Sequence, residues 1–137
     1  MELSLARLLI DFGLVILIWM VQCIVYPSFR HYSRENLMQW HKRYTRSIGY
    51  IVGPLMFMQL ALVIYQTIAM FSPFNLIVLM LVVLLWGITY VQFVPRHQAI
   101  SQGTFDDETL TALVRKNWSR TIIWSVVFLL GLWEYVG

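Results

Sequence analysis

Charge is scarce in this chain of 137 residues: Asp, Glu, Lys and Arg together make up 12% of it, against about 25% in an ordinary soluble domain. Cysteine is scarcer, with Cys23 alone, so no intrachain disulfide can form and a stapled secreted scaffold is excluded. Cys23 sits in an apolar run and reads as a small buried hydrophobe. The chain has no glycine-rich phosphate loop, no paired-cysteine or HExxH metal motif and no GxSxG nucleophile turn, so the usual soluble enzyme chemistries lose their signatures. Lipidation motifs, internal repeats and low-complexity tracts are missing too.

Apolar side chains are abundant. They form 59% of the residues, gathered into long blocks, which leaves a membrane protein as the reading. Four blocks can cross a bilayer core, which takes about 20 helical residues: residues 5–26, 48–70, 75–94 and 119–136. A membrane barrel would need alternating strands, and the unbroken run from Leu76 to Trp86 does not alternate. The start of the chain has no basic n-region and no small-residue cleavage site, so it reads as a retained span. The expected fold is one all-α domain, an antiparallel bundle of four transmembrane helices.

The basic residues orient it. The segments 28–46 and 96–120 hold every Lys and Arg except Arg7, while Phe71-Ser72-Pro73-Phe74 holds none. The positive-inside rule therefore puts both long connections in the cytoplasm and both termini outside. The net charge of +3 is an orientation signal and gives no reason to expect nucleic acid as a partner. Tyr26, Trp40, Tyr44 and Trp118 on one side, and Trp133 and Tyr135 on the other, read as interfacial anchors. Each long connection is expected to carry a short amphipathic helix. The first has Leu37, His41, Tyr44 and Ile48 on one face; the second starts at a capping box in Thr104-Phe105-Asp106-Asp107. Gly53-Pro54 should bend the second span.

Polar groups inside spans need partners. Arg7 and Asp11, spaced i, i+4, can pair, and Glu134 arrives from the neighbouring fourth span. These read as structural ion pairs stapling helices one and four, with Arg7 and Glu134 snorkelling to water and one acid left over. A proton or cation relay through Asp11 is the competing reading. At the other end the topology gathers Gln22, Tyr26, His41, Tyr44, Thr89, Gln92, His97, Asn117, Arg120 and Thr121 around a pocket with Gln59 at its floor. His31 is expected to be solvated. Here His41 and His97 are the candidate catalytic residues, with Gln59, Gln92, Asn117, Arg120 and Tyr44 as ligand-binding residues. Two histidines at one bundle end could also ligate haem or a metal ion, although no local His-x-x-Glu or His-x-x-x-His spacing supports it.

Three stretches carry a resemblance: Trp40-His41 followed by Arg46-Ser47-Ile48-Gly49-Tyr50-Ile51-Val52-Gly53-Pro54-Leu55-Met56, then Val94-Pro95-Arg96-His97, then Leu113 to Thr121 with Asn117-Trp118-Ser119-Arg120-Thr121. Together they resemble a group of small bacterial four-helix membrane proteins, itself distantly similar to the anthrone-oxygenase-like membrane family, whose named members oxidise polycyclic aromatic polyketides. The resemblance implies a multi-pass protein of the bacterial inner membrane and highlights His41, His97, Asn117 and Arg120. It also implies an acid where this chain has Gln59, a departure that removes proton transfer at that position. The residues and the resemblance give three readings. The first is a pocket for a small hydrophobic, aromatic or quinone-like molecule, with oxidoreductase chemistry as one implied use. The second is a non-catalytic accessory or assembly subunit of a membrane complex. The third is a haem or metal carrier. The bilayer is the expected partner in each, with a homo-oligomer or a larger membrane complex as further expectations.

Overall fold

A computed structural model describes residues 2–137. Its four long helices are α1 (Glu2–His31), α2 (Arg34–Ala69), α3 (Pro73–Gln102) and α4 (Asp107–Val136). All four are long and apolar enough to cross a membrane, the architecture of a multi-pass membrane protein. They form an up-and-down bundle in which α1 packs on α2 and α4, and α3 closes the ring between α2 and α4. Large apolar side chains such as Leu9, Tyr50, Phe57, Ile68, Met80, Val91 and Ile122 point outward. A soluble monomer would not leave such a belt uncovered, whereas lipid tails solvate it.

The helices exceed the spans read from hydropathy. The amphipathic segments of both long connections are the first turns of α2 and α4, continuous with the spans themselves. With 36 residues, α2 is roughly 54 Å long, so several turns project past a hydrocarbon core of about 30 Å at the basic end. Only short links remain between helices, and the starts of α2, α3 and α4 each have their own cap. Ser33 Oγ accepts from the Asn36 amide, and Ser72 Oγ from the Asn75 amide with Pro73 in the first turn. The α4 cap is Asp106, two residues beyond the expected Thr104: its carboxylate accepts from the Thr109 amide at 2.9 Å and Thr109 Oγ1 accepts from the Asp106 amide. The bond from the Thr109 amide, with a second from the Thr109 hydroxyl at 2.8 Å, holds the Asp106 carboxyl below the usual carboxylate range. Thr104 is occupied in ending α3. Its amide reaches back to the Ala99 carbonyl while Gly103 turns left-handed at φ 74°, and a Cβ on Gly103 would lie 2.9 Å from Met38 Sδ.

Three prolines act differently. Pro27 and Pro95 each follow a five-residue π segment, Val21–Val25 in α1 and Thr89–Phe93 in α3. A proline cannot donate to the carbonyl four residues back and its ring crowds that carbonyl, so the turn before it widens. The Tyr26 amide accordingly bonds the Val21 carbonyl, and the Val94 amide the Thr89 carbonyl. One extra residue in a turn rotates everything after it by about 100°. The two π segments therefore set the facing of Tyr26 and His97. Pro54, by contrast, lies inside an α2 that stays helical on both sides of it.

The interior is layered along the bundle. Val63, Val78, Val82 and Val127 fill the end away from the basic residues, and Leu14, Ile18, Met56, Leu85 and Trp124 fill the middle. Phe29, Leu37, Phe93, Ile100, Phe105 and Leu113 fill the basic end. Cys23, expected to be buried, faces outward.

Candidate functional site

Two polar clusters interrupt this interior. The first centres on Arg7, which is 2% exposed and does not snorkel. Its Nε donates to Asp11 Oδ2 at 3.3 Å and its Nη1 donates to both Glu134 Oε2 at 2.9 Å and Gln66 Oε1 at 3.1 Å. No acid is left over: Arg7 bridges both carboxylates, and Glu134 alone of the three keeps partial access to solvent. The other oxygen of Asp11 accepts from Gln59 Nε2 at 2.6 Å, and Gln59 Oε1 accepts from Trp124 Nε1 at 3.2 Å. Gln59 therefore belongs to this network and not to the floor of the basic-end pocket, because Asp11 needs a second donor and α2 supplies one. Gly131 makes the approach of α1 and α4 feasible. A Cβ there would lie 3.2 Å from Asp11 Oδ2 and 3.3 Å from Arg7 Nη2.

The second cluster lies at the basic end, where both π segments point. Tyr26 Oη is 2.9 Å from His97 Nε2, His97 Nδ1 is 2.8 Å from His41 Nε2, and His41 Nδ1 is 2.8 Å from Ser101 Oγ. The two imidazoles stack with centroids 5.0 Å apart and planes 20° from parallel. Each imidazole bonds through both of its nitrogens, so in the neutral pair one nitrogen of each ring donates and the other accepts. The four groups thus form one continuous chain that can run in either direction. Phe29 packs edge-on against His41 and Tyr44. Beside the chain, Gln22 Oε1 accepts from Asn117 Nδ2 at 3.0 Å and from Thr121 Oγ1 at 3.1 Å, while its Nε2 donates to the Val114 carbonyl. This ties α1 to α4 and uses up Asn117.

A cavity of about 500 Å³ opens beside the chain, between α2 and α3 with α1 and α4 behind. The two front helices pack on each other near both ends and much less in between, alongside Thr89–Phe93. Phe57, Trp86 and Tyr90 form an aromatic run at the mouth, with Phe57 and Tyr90 facing outward as lipid-exposed residues do. The rest of the wall is largely apolar, including Leu14, Ile18, Val52, Met56 and Trp124. Gly49 and Gly53 keep it wide, since a Cβ built on either meets nothing within 4 Å. Tyr26, Tyr44, His97, Ser101 and Arg120 make the polar end.

Of the residues singled out from sequence, Tyr26, Tyr44, Thr89, His97 and Arg120 line this cavity. His41 is fully buried and reaches the cavity only through its partners His97 and Ser101. Gln92, Asn117 and Gln59 are not on the wall; the Gln92 carbonyl instead accepts from Arg96. His31 is exposed, as expected, in the 3-10 turn that ends α1. Tyr26 is buried and hydrogen-bonded, not an interfacial anchor. Sequence reasoning missed Ser101, Trp86 and the two glycines. Ser101 follows His97 at i+4, a spacing that puts both on one helix face and could have flagged it. No protein-family model, curated protein or solved structure matches the chain, so the resemblance drawn from its motifs gains no support from such comparisons.

Proposed function

We propose that this is a protein of the bacterial inner membrane that admits a small hydrophobic molecule, aromatic or quinone-like, from the bilayer into the cavity and exchanges a proton with it. The observation that carries this reading is the Tyr26–His97–His41–Ser101 chain ending on the wall of a largely apolar cavity. A volume of about 500 Å³ suits a ligand of two or three fused rings, and sites of this kind pair an apolar wall with a few convergent polar groups. The lipid-facing mouth supplies entry for a molecule dissolved in the membrane. When Tyr26 gives its hydroxyl proton to a ligand oxygen, His97 replaces it, His41 reprotonates His97, Ser101 reprotonates His41, and the partly exposed Ser101 takes its own proton back from water. Both rings end as the opposite neutral tautomer, so no imidazolium has to form in a poorly solvated place. Haem or metal ligation is less well supported, because all four imidazole nitrogens are already hydrogen-bonded.

Trp86 and Trp124 on the wall provide the test. In nanodiscs, 2-methyl-1,4-naphthoquinone should quench tryptophan fluorescence saturably in the wild type. Gly53→Leu, which fills open space, should abolish the saturable component without lowering thermal stability. Linear quenching, identical in both proteins, would overturn the pocket and leave the accessory-subunit reading.

A further inference from the structure

Arg120 stands apart from every other charged group in the interior. It is 7% exposed and lines the cavity, yet no carboxylate pairs with it among the described residues. Its guanidinium lies over the Phe93 ring at 4.4 Å and near the Trp124 ring at 5.2 Å. Its one hydrogen bond to a side chain is a long one, 3.4 Å to Asn117 Oδ1, and its Nε is buried without a partner. A buried cation with an idle donor is costly unless something completes its shell, and aromatic faces supply only part of what an anion would. Arg7 has an idle donor too, in its Nη2, yet this same chain gives that buried arginine two carboxylates and gives Arg120 none.

We infer that the cavity takes a monoanionic amphiphile, and that Arg120 receives its acidic oxygen group while the apolar wall receives its body. This rests on the cavity reading above and narrows it. A single arginine matches a carboxylate, phenolate or enolate better than a doubly charged phosphate, and a planar guanidinium pairs such oxygens through two parallel bonds. Tyr44, and Tyr26 when His97 donates to it, add hydroxyl donors on the same wall for the same oxygens. Clustering every Lys and Arg except Arg7 toward this end also raises the local concentration of anions. Two sources fit the chemistry, a fatty acid from the bilayer and an acidic hydroxyquinone or phenol.

Matched pairs separate charge from shape. Titrations in nanodiscs would use 2-hydroxy-3-prenyl-1,4-naphthoquinone against its methyl ether, and dodecanoate against methyl dodecanoate. In the wild type, at least one anion should bind about 10- to 100-fold tighter than its neutral partner, the worth of one charge-assisted bond set. That preference should vanish in Arg120→Gln and return in part in Arg120→Lys. The favoured pair identifies the source. Equal affinity within both pairs overturns the inference while leaving the cavity reading standing, and it does so in the wild type even if the variants fail to fold. A preference that survives Arg120→Gln also overturns it. Failure of all four compounds to bind sinks both readings together.

Discussion

The two polar clusters differ in how they balance charge. Around Arg7, one cation meets two carboxylates and Gln66, Gln59 completes Asp11, and a Cβ on Gly131 would crowd both Arg7 and Asp11. Around His97, neutral groups are chained together beside a cation that has no anion, and the space next to them is empty. A cation given its own carboxylates holds helices together; a cation left without one beside open space is prepared for something else. The same bundle thus shows what structural polarity looks like and, by contrast, what a site looks like.

The sharpest way to break this contrast is to remove each arginine in turn. Arg7→Leu strips two acids of their shared partner and should cost about 3–5 kcal/mol, measured by denaturant or thermal unfolding in detergent. Arg120→Gln should change stability by about 1 kcal/mol at most, since it removes aromatic contacts and no ion pair. Comparable losses would show that both clusters are staples. Next in size is Gly131→Leu, expected to cost about 1–3 kcal/mol by pushing α4 off Arg7 and Asp11. The same change at Gly53 should be tolerated, because there is room.

Ser101→Ala removes the group at the end of the chain and leaves His41 Nδ1 without its bond, a loss of about 1 kcal/mol. Imidazole nitrogen chemical shifts should then report a single tautomer for the pair where the wild type exchanges between two. The smallest effect is local and lies outside both clusters. The Asp106 carboxyl is held down by its bond from the Thr109 amide, so the cap is intact above the ordinary aspartate range and is lost as the pH falls through the lowered value in the folded protein. Amide exchange at the start of α4 should quicken on acidification, and Asp106→Ala should produce the fast rate at neutral pH.

Arg7 and Asp11 could be paired from their spacing alone, because i, i+4 on a helix is a local relation. Gln59 could not be placed correctly, since its partners come from α1 and α4 and nothing local distinguishes one end of the bundle from the other. His41 and His97 were recognisable as a meeting pair, yet only one of them reaches the cavity. That outcome depends on the π segments ahead of Pro27 and Pro95. A sequence read at a constant 3.6 residues per turn puts Tyr26 and His97 about 100° away from where they point.

Sequence by itself determined the four helices, their antiparallel order and the gathering of basic residues at one end. Each follows from the length of an apolar run, the shortness of a link or the distribution of charge, and none needs a distant partner. Tertiary structure alone decided which buried arginine would be neutralised, where the cavity would open and which side chains would face it. Those outcomes are sums over contacts between helices far apart in the chain, and a widened turn or an absent Cβ changes them without altering the hydropathy pattern.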